Sequence, residues 1–371
     1  MRTPVTETFG AEFPLVAFSH CRDVVAAVTN AGGMGVLGAV AYDPASLDRE
    51  LAWIDDQVGG RPYGVDVLVP GKLADGGGDG GAAPVIPDGH RAFVADLLTR
   101  YGVEPPEATS GSGPGAGRRV TKEGASELID VALGHPVSLI ASALGPPPPE
   151  MIAAARAKGV PVAALVGTVE HARRQVAAGA DLIIAQGGEA GGHTGEISTM
   201  VLVPQVVDAV APLPVLAAGG IATGRQMAAA LALGAAGVWC GSVWLTTEEA
   251  ETAPAVKEKM LAATSRDTIR SRSRTGKPAR QLASAWTTEW EGPDSPGPLP
   301  MPLQMILAEG AMRRIHHATE AGVPGARDLA NYFVGQCVGQ MNAVKPARQV
   351  VYDMMEQFGD ALDRLGEMAK E

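Results

Sequence analysis

The sequence predicts an α/β fold, a closed TIM-type (β/α)8 barrel, on three observations. Eight short apolar runs recur between residues 15 and 240, each followed by a loop and mostly by a helical pattern. Glycine-rich loops stand directly behind the runs that end near residues 185 and 218. Hydrophobic residues make up 46% of the 371 residues but aromatics only 4%, so aliphatic side chains and alanine must fill a large core. An open doubly wound sheet is the alternative; eight repeats favour closure.

The runs read as buried parallel strands at Leu15–Phe18, Gly35–Leu37, Tyr63–Val69, Val137–Ala141, Val160–Val166, Ala180–Ala185, Pro214–Ala218 and Ala236–Cys240. Helix punctuation falls between them. Asp43 before Pro44 is a capping side chain ahead of a first-turn proline. Thr168 opens a helix that Gly179 closes, and Thr223 with Gln226 has capping-box spacing before a helix ended by Gly234. Pro146 to Pro149 stiffen the approach to a helix over Glu150–Lys158.

Two regions break the rhythm. About 71–120 is a glycine-rich insertion after the third strand, with one helix, His90–Tyr101, inside it. Residues 246–371 form a helical appendage packing on the barrel of residues 1–245. Its helical segments are Pro254–Thr264, Leu303–Thr319, Ala326–Gln340 and Ala347–Met368.

A net charge of -11 argues against nucleic acid and against an anionic membrane surface. Three scattered cysteines give neither a disulfide framework nor a zinc site, and no metal is expected. The start has no apolar signal core and no apolar run is long enough to span a bilayer. These features imply a cytoplasmic protein whose partners are small molecules, with a homodimer left open.

The site candidates stand at strand ends, where barrels build their chemistry. The run Gln186-Gly-Gly-Glu-Ala-Gly-Gly-His193 places one imidazole behind a chain of glycines. Gly219 and Gly220 follow the seventh strand; Cys240, Gly241 and Ser242 follow the eighth. Such neighbouring loops commonly cradle a phosphate with backbone N–H groups and a helix N-terminus. Phe18, Ser19 and His20 end the first strand and are candidate substrate contacts; His20 could equally pair with Asp23. Glu189, Cys21 and the run Arg266, Arg270, Arg272 and Arg274 read as structural or solvated. Trp286 and Trp290, at i,i+4, read as packing of the appendage.

In these segments the chain resembles the nitronate monooxygenase (2-nitropropane dioxygenase) family. The resemblance lies in Asn30-Ala-Gly-Gly-Met-Gly-Val-Leu-Gly38, Gln186–His193, Ala217-Ala-Gly-Gly-Ile221 and Ala228–Gly241, spread over the whole barrel. It implies an FMN-dependent barrel in which Gln186 and Gly191 contact the flavin and Gly219, Gly220, Cys240, Gly241 and Ser242 surround its phosphate. His193 would be the catalytic base. Asp66, ending the third strand, stands where the family often has Asn beside the flavin. The chain departs from the family at Ala17-Phe-Ser-His-Cys-Arg-Asp23, where a proline-methionine segment is usual, and at Val162–Val166, which lacks a lysine. The implied reaction is oxidative denitrification of alkyl nitronates or nitroalkanes with O2 to a carbonyl compound and nitrite. The alternatives are an FMN-dependent NAD(P)H:quinone or enoyl reductase of the same superfamily, and a non-catalytic flavin- or phosphate-ligand-binding barrel.

Overall fold

In a computed structural model that describes residues 1–68, 85–105, 122–143 and 145–370, eight parallel strands close into a barrel. They are β1 Leu15–Ser19, β2 Met34–Gly38, β3 Tyr63–Leu68, β4 Leu139–Ala143, β5 Val162–Val166, β6 Leu182–Gln186, β8 Val215–Ala218 and β9 Gly237–Cys240. A two-residue strand, β7 Gly192–His193, lies outside the barrel sheet. Each barrel strand pairs with its neighbour in chain order, and β9 returns to β1 with Ala17 opposite Cys240. The glycine-rich stretches 71–84 and 106–117 fall outside the described residues, as does Val69.

The alternation of side chains along each strand divides the barrel into two apolar layers. Val16, Met34, Val36, Leu139, Ala141, Ala163, Leu182, Ile184, Leu216, Ala218 and Trp239 fill the lumen. A first helix, Pro4–Phe9, adds Val5 to that cluster; no apolar run announced it. The residues of opposite register, among them Leu15, Ala17, Ile183, Ala185, Val238 and Cys240, pack against the surrounding helices. The helix signals act as the sequence suggests. Asp43 accepts from Ser46 N–H, Thr168 from His171 N–H, and Thr223 forms a capping box with Gln226.

Beyond the barrel, the appendage is not wholly helical, and one expected helix needs correction. The arginine-rich segment is a β-hairpin, β10 Thr268–Ser271 and β11 Ala279–Leu282. Alternating Arg with Ile or Ser suits the period of an exposed strand better than that of a helix. The segment Ala326–Gln340 holds only a short helix, Pro324–Leu329, and a 3-10 turn, Gln336–Gln340. The remaining helices pack in two directions. Helix Leu303–Glu320, Trp286, Trp290 and the 324–341 segment form one cluster with Val94, Leu97 and Leu98 of helix Asp88–Arg100, which lies within the insertion. Helix Ala347–Met368 instead lies on the barrel helices, where Gly224 admits its backbone and donates its N–H to Gln357 Oε1 at 3.1 Å.

Candidate active site

The loop behind β6 is locked to two other parts of the chain. Glu189 takes the N–H (2.9 Å) and hydroxyl (2.9 Å) of Thr199 on its carboxylate, at the start of helix Thr199–Val210. An acid there complements the helix dipole, so Glu189 is structural. On the other side, β7 pairs with β11, with His193 opposite Ala279 and Gly192 opposite Arg280. The glycine run lets this happen. A side chain on Gly191 would lie 2.8 Å from the Val334 carbonyl carbon and 2.9 Å from Gly335 N.

The pairing brings the hairpin turn to the imidazole. Thr275 Oγ1 lies 2.9 Å from His193 Nε2 and 3.1 Å from the Lys277 carbonyl oxygen, and accepts from Lys277 N–H at 3.3 Å. Among the described residues no protein group bonds Nδ1. Burial, assisted by the Lys277 ammonium, lowers the pKa of His193 to about 4, so the ring is neutral at physiological pH. The Phe333 ring lies 6.4 Å from it, centroid to centroid.

At the lumen side of the mouth stands Asp66, in the lumen-facing register of β3. Its carboxyl is buried, Oδ1 has no partner, and burial alone raises the pKa to about 7. Gln186 ends β6 opposite Ala218 and shares the lumen register of Ile184. Phe18 stacks on Trp239 at 6.0 Å and meets His20 edge-on at 5.1 Å. His20 does not pair with Asp23. Its Nδ1 lies 3.0 Å from the Gly38 carbonyl oxygen, over a glycine with no side chain to exclude the ring. Burial lowers its pKa, partly offset by that carbonyl. Ser19 Oγ accepts from Cys21 N–H and so shapes the turn after β1.

The two loops behind β8 and β9 present backbone donors. Gly219 (φ +103°) and Gly220 (φ +71°) hold left-handed torsions that only glycine adopts without strain. Gln226 fixes the turn, donating to the Gly220 carbonyl at 2.6 Å and accepting from Ala222 and Thr223 N–H. Among the described residues no protein acceptor takes the N–H of Gly219, Gly220 or Gly241. Ser242 Oγ accepts from Gly335 N–H at 2.8 Å, and its hydroxyl also hydrogen-bonds the Cys337 side chain. Cys240 offers only backbone here. Its thiol points into the layer outside the barrel, toward Cys337, and burial raises its pKa. These unpaired donors, with the orphaned Asp66 oxygen, fit a flavin phosphate and ring edge.

No local pattern marks Thr275 or Phe333 as neighbours of His193, because they lie 82 residues or more downstream and come to it only through tertiary contacts such as the β7–β11 pairing. No described helix is long and apolar enough to cross a membrane.

A sequence model of the nitronate monooxygenase family matches residues 14–357. The chain is 62% identical over 372 residues to a Mycobacterium tuberculosis protein named "Putative monooxygenase Rv1533", covering 98% of each chain. It is 34% identical over 286 residues to a Rhodococcus jostii (3aS,4S,5R,7aS)-5-hydroxy-7a-methyl-1-oxo-octahydro-1H-indene-4-carboxyl-CoA dehydrogenase, covering 76% of this chain and 66% of that one. Among solved structures, nitroalkane oxidase from Streptomyces ansochromogenes superposes with a TM-score of 0.79 at 29% identity, over 97% of this chain and 99% of that one.

Proposed function

From the premise that this chain belongs to the nitronate monooxygenase family and is a flavin-dependent oxidoreductase, we propose that it binds FMN and oxidises alkyl nitronates with O2. The products are a carbonyl compound and nitrite. The observation that carries this reading is a neutral imidazole, His193, held by Thr275 at the end of the β6 glycine loop.

The arrangement that satisfies every contact of Thr275 has its hydroxyl donating to the Lys277 carbonyl and accepting from His193 Nε2–H. The lone pair is then on Nδ1, which can take the α-proton of a nitroalkane. Burial favours the neutral form needed for that step. Gly219, Gly220, Gly241 and Ser242 would hold the FMN phosphate through N–H and O–H donors, and Gln186 and Asp66 would meet the ring. With a pKa near 7, Asp66 is largely a neutral acid below neutrality, able to donate as an asparagine would. When bound, FMN supplies the electron transfer that couples nitronate to dioxygen. Appendage residues Val334 and Gly335 cover the β6 loop and limit water access.

The test is oxygen uptake and nitrite release by the purified flavoprotein with ethyl nitronate, with no nicotinamide added. Absence of both, with bleaching of the flavin by NAD(P)H instead, rejects the monooxygenase reading. The CoA-dehydrogenase relative makes the second half of the assay necessary, since family membership does not fix the substrate.

A further inference from the structure

The hairpin that steadies His193 is also the most basic stretch of an acidic chain. From Thr268 to Thr288 there are five cations, Arg270, Arg272, Arg274, Lys277 and Arg280, and no carboxylate. Three of them have evident structural partners, Arg272 among them, donating to the Gly276 carbonyl at 2.9 Å. Arg270 reaches Glu196 at 3.4 Å, and Arg280 donates to the Gly188 carbonyl at 3.0 Å. Arg274 is different. Its guanidinium donates to Asn331 Oδ1 at 2.6 Å and lies 4.9 Å over the Phe333 ring, both neutral. No described carboxylate pairs with it, and the acid that attracts it from a distance, Glu309, is bound to Arg313 at 2.7 Å. Burial alone is enough to lower its pKa, to about 10.

An uncompensated buried cation costs stability, and an apolar side chain would fill the same space without that cost. Its surroundings suggest what it serves. Arg274 precedes Thr275, the residue bonded to His193, and the Phe333 ring lies 4.9 Å from its guanidinium carbon and 6.4 Å, centroid to centroid, from the imidazole. The remaining N–H donors of Arg274 form a planar fork, which matches two oxygens held in one plane.

We propose that Arg274 is the receptor for a planar two-oxygen anion beside His193, which in turnover is the nitronate itself. When the α C–H bond breaks, the proton goes to His193 Nδ1 and the electron pair spreads onto the two oxygens of the nitro group. Arg274 pairs with that charge, favouring the anion over the neutral nitroalkane. Assignment of the anion as nitronate rests on the proposed function; the oxyanion subsite does not. A carboxylate elsewhere on the substrate has the same shape and charge, and the test separates the two sources.

Titration calorimetry of the flavin-loaded protein with sodium nitrate, against sodium chloride at equal ionic strength, reads the subsite without turnover. We expect nitrate binding that weakens about tenfold or more in R274M, weakens less in R274K, and is unchanged in R266M, an exposed arginine on the same segment. Failure of the wild type to bind nitrate above chloride overturns the subsite. So does a folded R274M or R274K that binds as the wild type does, or an equal loss in R266M. Turnover then assigns the source. If R274K raises KM for ethyl nitronate, the nitronate occupies the fork. If it raises KM only for a nitronate bearing a remote carboxylate, the carboxylate does, and the nitronate assignment fails. If no nitronate turns over in the wild type while nitrate binding still depends on Arg274, the proposed function fails and the subsite stands.

Discussion

The loops behind β6 and β8 are neighbours, both rich in glycine, and they use glycine for opposite reasons. In the β6 loop, glycine makes room. Gly188 faces the carbonyls of Gly195 and Glu196 at 3.2 and 3.3 Å, a tight fit for a side chain, and at Gly191 any side chain would collide with the Val334–Gly335 backbone. In the β8 loop, glycine sets torsion: Gly219 and Gly220 turn left-handed and leave N–H groups without a protein acceptor. One loop is therefore built to receive the rest of the chain and carries His193, the proposed base; the other leaves free donors for the proposed anion.

The sharpest separation of the two is chemical. His193→Asn removes the base at the end of the β6 loop, so kcat/KM for nitroethane should fall ~10²–10⁴-fold while ethyl nitronate, already deprotonated, keeps most of its rate. Equal losses on both substrates would remove the base assignment. The glycines should break differently. Gly191→Ala pushes a methyl against the Val334–Gly335 backbone and should cost ~1–3 kcal/mol in urea denaturation, a larger effect on stability than on flavin affinity. Gly220→Ala should cost only ~1–2 kcal/mol of torsional strain, yet weaken FMN binding measurably by fluorescence titration. If the two variants exchange these phenotypes, the division of labour between the loops is wrong.

A smaller effect tests how the hairpin serves the β6 loop. Thr275→Val loses the bond that sets the His193 tautomer, worth ~1 kcal/mol, so kcat on nitroethane should drop roughly fivefold, with Thr275→Ser restoring it. The smallest effects are in pH. A ring with a pKa of about 4 stays neutral as pH falls from 7 to 5, so kcat/KM for nitroethane should lack the decline near 6.5 expected of a free histidine. Asp66, with a pKa of about 7, loses its proton as pH rises through neutrality; FMN affinity should weaken above pH 7 in the wild type and stay level in Asp66→Asn.

Much of this was legible in the residues. All eight barrel strands were placed, with ends shifted by a few residues, because buried parallel strands are continuous apolar runs bounded by caps and glycines. The position of His193 behind the β6 run marked it for chemistry. The sequence was less informative past residue 245, where two short strands and a 3-10 turn lack strong periodicity. It also gave no hint that Gly191 serves a contact with Val334, or that the Cys240 thiol turns away from the lumen.

The sequence by itself determined the barrel, its closure and the loops that carry the imidazole and the anion donors, since strand period, capping and glycine torsion are local properties of the chain. Only the tertiary structure decided which side chains surround the imidazole. Thr275 and Phe333 reach His193 through strand pairing and packing between segments far apart in sequence, and such contacts depend on how the elements stack, which no local pattern encodes.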